Sequence, residues 1–212
     1  MGEATGVKSQ APAIKAAAHV RLPPHAPGMK IGLFGGSFNP PHAAHRAASL
    51  LALKRLGLDR VWWLVSPGNP LKDTRGLPPL ERRVAAAAKL AAHPRIDATG
   101  LEAAIGSPYT FDTLQWLRRS LPAVRFVWLM GADNVATFHH WQNWLGIVAL
   151  VPIAVIDRPG VTAAGPFAER FSRYRLPEAA ANRLALRRPP AWVYLHGLKS
   201  AVSSTALRAA RG

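Results

Sequence analysis

There is no cysteine anywhere in this chain of 212 residues. That excludes disulfides and thiolate metal sites, and it is compatible with a reducing cytoplasm. Acidic residues are scarce as well: 11 Asp+Glu stand against 27 Lys+Arg, a formal net charge of +16. The excess favours anionic partners, nucleic acid or a nucleotide triphosphate alike, and charge alone does not choose between them. Long apolar runs are missing. The longest, 146–156, contains Pro152 and is too short to cross a bilayer. No apolar core of a secretory signal precedes the first strand pattern. Neither the dinucleotide fingerprint G-x-G-x-x-G nor the P-loop G-x-x-x-x-G-K-[ST] occurs.

What is present reads as globular. The hydrophobic fraction is 49% and the charged fraction 18%, and the length suits one domain, or one domain and a tail. Residues 1–28 are rich in Ala and Pro, mildly basic and without a sustained apolar period, which predicts a flexible arm ahead of a single domain over 29–212. The arm is poor in acids and carries Lys8, Lys15 and Arg21, so a transit peptide fits it, as does a true start at Met29.

The most informative stretch is 29–45, MKIGLFGGSFNPPHAAH. Ile31, Leu33 and Phe34 mark a short buried strand. Gly35-Gly36 breaks it where a backbone can turn tightly and approach a ligand. Pro40-Pro41 holds the next residues extended and presets a first helical turn. His42 and His45 then leave one face of that turn. A glycine loop, a helix start with unpaired N–H groups and two imidazoles suit phosphate oxygens. A plain turn and a metal pair are the competing readings, the latter lacking a third ligand at suitable spacing.

Downstream, strand patterns at 60–66, 95–99, 124–130, 151–156 and 191–195 alternate with helical stretches at 43–56, 80–92 and from 110. Strands alternating with helices predict a doubly wound parallel sheet, with ligands at the carboxyl ends of the strands. Lys72 lies in a Pro/Gly loop after the second strand, where a solvated lysine or a phosphate contact both fit. Thr110 reads as the N-cap of the helix it opens, with Asp112 in the first turn, and capping alone explains both. Asp133 follows a strand and fits a cap. Trp141 sits in an aromatic cluster that reads as core, and His139 and His140 as surface or packing residues. Residues 161–190 read as irregular. Ser203, Ser204 and Thr205 open a last helix, with Arg208 one turn after Ser204.

The string from Gly35 to His45 resembles the H-x-x-H signature of the nucleotidylyltransferase superfamily, and its G-G-S-F-N-P-x-H form resembles the nicotinate mononucleotide adenylyltransferase branch. Ala44 stands where that branch usually carries Gly. Ser203-Ser204-Thr205-Ala206-Leu207-Arg208 resembles the second superfamily signature, S-S-T-x-[IL]-R. The resemblance spans 29–208, in motif order, and implies a Rossmann-like nucleotidylyltransferase fold. It implies adenylyl transfer from ATP to nicotinate mononucleotide, giving deamido-NAD and pyrophosphate, a cytoplasmic step of NAD biosynthesis. It places Gly35, Gly36, Ser37, Phe38, His42, His45, Asp133, Ser203, Ser204 and Arg208 on ATP. It places Thr110, Trp141, Lys72 and Arg158 on the mononucleotide, and gives catalysis to His42, His45, Lys72 and Arg208. Mg2+ is expected on the phosphates rather than on protein carboxylates, since no carboxylate cluster occurs. No nucleic-acid or membrane partner is expected, and a homo-oligomer is compatible with the sequence. Another adenylyltransferase of the superfamily, acting on pantetheine phosphate, is the alternative within the class. A basic nucleic-acid-binding module is the alternative outside it.

Overall fold

The computed structural model describes residues 17–68, 76–162 and 164–197. Within them seven strands form one all-parallel sheet: β1 (Lys30–Gly36), β2 (Arg60–Val65), β3 (Ile96–Thr99), β4 (Arg125–Gly131), β5 (Ile153–Ile156), β6 (Arg175–Leu176) and β7 (Trp192–Leu195). Their order is β3-β2-β1-β4-β5-β7-β6. Strands buried on both faces carry apolar side chains at consecutive positions rather than at alternate ones. β2 shows this directly, with Val61 to Val65 all buried.

Two apolar layers enclose the sheet. On one face Trp63, Val65, Leu129 and Ile156 pack with residues of α1 (Ala43–Arg55), α2 (Leu80–Ala91) and a 3₁₀ helix at Glu178–Leu186. On the other, Trp62, Trp128, Val155 and Trp192 pack with α3 (Leu101–Ile105), α4 (Thr110–Ser120), α5 (Trp144–Leu150) and α6 (Pro166–Arg170). The doubly wound parallel sheet is therefore the one expected. The chain reverses its direction of travel across the sheet between β1 and β4, which pair directly from Lys30↔Arg125 to Phe34↔Leu129. That is the topological switch point, and open α/β sheets bind ligands outside the carboxyl ends of the strands there.

Three differences from the sequence reading have local causes. Within 161–190, expected to be irregular, the chain forms α6, β6 and the 3₁₀ helix at Glu178–Leu186. β6 is two residues long and gave no periodic signal; Arg175 covers Trp192 and Tyr194 instead, 5.2 and 5.7 Å from their ring centroids. Residues 17–28, expected as part of a free arm, lie on the domain. His19 accepts at its carbonyl from Gly100 N at 2.7 Å, Arg21 from Thr99 Oγ1 at 2.7 Å, and Gly28 N donates to Ala123 at 2.8 Å. Pro23 is buried, and His25 sits edge-on to Trp62. Polar and proline-rich composition hides such a strap, because its anchors are backbone carbonyls rather than apolar side chains. Finally, Thr110 is not the N-cap of α4. Tyr109 holds that position with no side-chain cap, and Thr110 is the first helical residue. Ser107 supplies the local bonding instead, donating to Asp112 Oδ2 at 2.6 Å and accepting from Tyr109 N at 3.2 Å.

Candidate active site

At the switch point a pocket is lined by Phe34 of β1, Ala44, His45 and Ala48 of α1, Gly131 of β4, and Ile156 and Arg158 at the end of β5. The local sequence builds each wall. Gly35 lies where a Cβ would come within 2.6 Å of the Trp128 ring, so only glycine lets β1 pass that indole. Phe38 turns the chain with φ +46° and drops its ring into the core, stacked on Trp63 at 5.0 Å and 17°. Buried at 1% exposure, that side chain leaves only its backbone for a ligand. His42 is extended and begins α1. Its N–H donates to His45 Nδ1 at 3.2 Å, which fixes the His45 ring by the helix start itself.

The two imidazoles stack, 3.7 Å between centroids and 28° apart. His42 is 4% exposed and neither of its ring nitrogens has a partner among the described residues. Burial pushes His42 down to about 4; Arg158 acts in the same direction and Asp133 against it. Burial, the His42 ring and Arg158 push His45 down to about 3, opposed by its bond from the His42 backbone. Both rings are thus neutral near pH 7, and among the described residues that line the pocket Arg158 carries the fixed positive charge. Arg158 Nε lies 3.1 Å from Asp133 Oδ1 across Gly131. A Cβ at Gly131 would collide with that carboxylate oxygen and stand 3.2 Å from Arg158 Nε, so glycine there is what lets the pair close.

His42, His45, Asp133 and Arg158 therefore come together, with Gly35 and Gly36 as the last residues of β1, not a break in it, and Ser37 and Phe38 in the turn that follows. Thr110 lies apart, half-buried at the start of α4. Trp141 is half-buried and held edge-on by Trp128 and Phe138, at 6.2 and 5.2 Å between centroids. Lys72, Ser203, Ser204 and Arg208 lie outside the described residues. Ala44 is 2% exposed in the first turn of α1, where a right-handed backbone accepts its methyl group as pocket wall.

One residue that sequence reasoning passed over is Arg83. It is 3% exposed and donates to the carbonyls of Ser37, Ser66, Pro67 and Pro78. The signal was available: Arg83 shares the i, i+4, i+8 stripe of α2 with buried Ala87 and Ala91. Glu102 was missed too. It is 4% exposed, and burial pushes its carboxyl up to about 8 against bonds from Thr113 and Ser66.

Residues 33–210 match the sequence profile described as cytidylyltransferase-like. The chain belongs to the cytidylyltransferase-like family. A Bradyrhizobium protein named probable nicotinate-nucleotide adenylyltransferase is 62% identical over 183 residues, covering 85% of this chain and 95% of that protein. One of the same name from Rhizobium meliloti is 54% identical over 186 residues, covering 86% of this chain and 99% of the relative. Among solved structures, the Plasmodium falciparum nicotinic acid mononucleotide adenylyltransferase complexed with NaAD aligns with a TM-score of 0.63. It covers 85% of this chain and 83% of its own, at 17% identity. That likeness establishes a shared fold, which is the one a member of the cytidylyltransferase-like family is expected to have.

Proposed function

We propose that this chain transfers the adenylyl group of ATP to nicotinate mononucleotide, releasing pyrophosphate and forming deamido-NAD. The observation that carries the reading is the stacked His42–His45 pair at the start of α1, with the His42 ring lacking a hydrogen-bond partner among the described residues and His45 sharing the switch-point pocket with Arg158. The names borne by relatives at 54–62% identity support the same substrate class.

The mononucleotide phosphate is already ionised near pH 7 and needs no base to attack the α-phosphorus. Catalysis then rests on placing two phosphates and neutralising charge in the transition state. His42 and His45 bring N–H donors that are dry and oriented before the ligand arrives. Phosphate oxygens beside them would raise both imidazole pKa values from about 4 and about 3, since a nearby anion favours the charged form. Arg158 adds fixed charge, released from Asp133 to the extent that a ligand anion competes for it. Lys72, Ser204 and Arg208 complete the cradle in this reading, with Ser203 beside them. Thr110 and Trp141 take the pyridine end.

Among the described residues no three His, Asp or Glu side chains converge on a metal position. In this reading Mg2+ would arrive on the nucleotide phosphates, since this ion commonly keeps water and phosphate oxygens as ligands and takes only one or two carboxylates. Asp133 is the carboxylate at the pocket that would face it. No helix among the described residues is long and apolar enough to cross a membrane. A cytoplasmic location follows from the reading of the activity, and a homo-oligomer is compatible with it.

The test is pyrophosphate release from ATP with nicotinate mononucleotide, nicotinamide mononucleotide and phosphopantetheine in parallel. Turnover is expected with the first and weakly with the second. Turnover with phosphopantetheine alone would move the chain to another branch, and a gel shift with oligonucleotides in place of turnover would favour a nucleic-acid module.

A further inference from the structure

Arg83 presents a problem that its surroundings do not resolve as packing alone. A guanidinium at 3% exposure has lost its water, and no carboxylate among the described residues pairs with it. Among the described residues, every hydrogen bond it makes is to a main-chain carbonyl. Nε reaches Pro78 at 2.9 Å, Nη1 reaches Ser37 at 2.9 Å and Ser66 at 2.6 Å, and Nη2 reaches Pro67 at 3.2 Å. Burial presses its pKa down, yet guanidinium stays charged in proteins. The partners fall in three separate turns: the one after β1, the one after β2, and the entry to α2. The first two are already joined, since Ser66 N donates to Gly36 at 2.9 Å.

Peptide geometry makes this arrangement directional. In a trans peptide the C=O and the following N–H point opposite ways. The Ser37–Phe38 and Pro67–Gly68 peptides are both trans, the cis bonds being Asn39–Pro40 and Pro189–Pro190. Drawing the Ser37 and Pro67 carbonyls onto Arg83 therefore turns the Phe38 and Gly68 N–H groups away from it. Carbonyls that would repel an anion are gathered inward, donors are turned outward, and a positive charge with no carboxylate partner among the described residues lies behind both loops.

We infer that Arg83 is a positioning residue for the polyphosphate of the nucleotide, acting through the backbone of the turns after β1 and β2 and touching no substrate itself. The inference rests on the reading of the site as a nucleotide site.

The experiment combines kinetics of Arg83→Met and Arg83→Lys with amide spectra of the isotope-labelled wild-type chain titrated with inorganic tripolyphosphate. In Arg83→Met the KM for ATP should rise about tenfold or more, the loss expected for one or two charge-assisted hydrogen bonds. The KM for nicotinate mononucleotide should stay within about threefold, because uniform loosening would move both. Arg83→Lys keeps the charge but not the planar fork, and should fall with Arg83→Met. A wild-type-like lysine variant, an equal rise in both KM values, or a fall in Tm with unchanged KM values would overturn the assignment. Should neither variant fold, the wild-type spectra decide. The Phe38 and Gly68 amides should be among the most shifted by tripolyphosphate, and their failure to move overturns the proposal. A wild-type chain that turns over no ATP while both amides shift sinks the adenylyl-transfer reading and leaves Arg83 in its role.

Discussion

The starts of α1 and α4 are both helix N-termini at the ligand edge of the sheet, and they are built in opposite ways. At α1 the His42 ring is buried and unengaged: His42 is 4% exposed, with both ring nitrogens lacking partners among the described residues, while His45 is half-buried and keeps Nε2 clear of the bond its Nδ1 accepts from the His42 N–H. At α4 they face water and are engaged already. Tyr109 is 39% exposed, and Ser107 spends its hydroxyl on Asp112 and the Tyr109 N–H. A dry donor without a partner gains the full strength of a ligand hydrogen bond, whereas a wet one gains only the difference from water. The α1 end is therefore where transition-state charge can be stabilised. The α4 end, with the Asp112 carboxylate in its first turn, is suited to modest discrimination between substrates.

The sharpest test of that contrast is His45→Ala. It should lower kcat on the order of a hundredfold, about 3 kcal/mol, while leaving the KM for nicotinate mononucleotide nearly unchanged. Steady-state kinetics with both substrates varied checks it, and a normal kcat would make His45 a packing residue beneath Phe38.

A second break in the comparison comes from truncation. Residues 17–28 brace the side of the sheet that carries α3 and α4, through Gly100, Thr99 and Trp62. Removing them should cost about 2 kcal/mol, two or three modest hydrogen bonds, or roughly 4–8 °C in Tm. Removing only residues 1–16 serves as the control in calorimetry. Equal Tm values for the two truncations would return 17–28 to the status of a free arm.

At the α4 end the acid mononucleotide should be preferred over the amide by about tenfold, near 1.5 kcal/mol, the lower end for a charge-assisted bond because water competes there. Thr110→Ala should narrow the ratio of kcat/KM values mainly by weakening the acid. Trp141→Ala should weaken both, since a half-buried indole stacks on either ring. Identical kcat/KM for the two mononucleotides in the unmutated protein would show that α4 does not discriminate.

The smallest effect, and the one that separates the two ends by sign, is the pH dependence of stability. His42 and His45 are held near 4 and 3, below an unfolded value of 6.5, so the unfolded chain binds more protons between those limits. Their contribution is whole above pH 6.5 and declines as the pH falls toward 4 and 3. Glu102, beside α4, is held near 8 against 4.5 unfolded, so the folded chain binds the extra proton. Its contribution is whole below pH 4.5 and declines as the pH rises toward 8. His42→Asn should flatten the acid limb of a Tm-against-pH curve and Glu102→Gln the alkaline limb. A curve whose two limbs respond to neither variant would remove the electrostatic half of the comparison.

Much of this was legible in the residues because it is local. The apolar centre of β2 and the Pro40-Pro41 entry to α1 each act within a few positions, so they determined a parallel α/β sheet and a helix entry without reference to distant chain; Gly35-Gly36, expected to break β1, instead stays in it, paired with Leu64 and Val65, because β2 extends alongside. The spacing of His42 and His45 put both imidazoles at the entry to α1, where they stack although His42 is the extended residue before the helix rather than part of its first turn. What the tertiary structure alone decided is everything set by strand order and close approach. The pairing of β1 with β4, and of β4 with β5, brings Asp133 and Arg158 to the histidines and makes an ion pair of two residues that the sequence had presented as separate contacts. Burial on that same edge turns the imidazoles into neutral donors, which composition cannot show because desolvation depends on neighbours far along the chain. Arg83 makes the point from the other side: a lone arginine on an alanine-rich stripe becomes meaningful only when three turns from different parts of the chain converge their carbonyls on it.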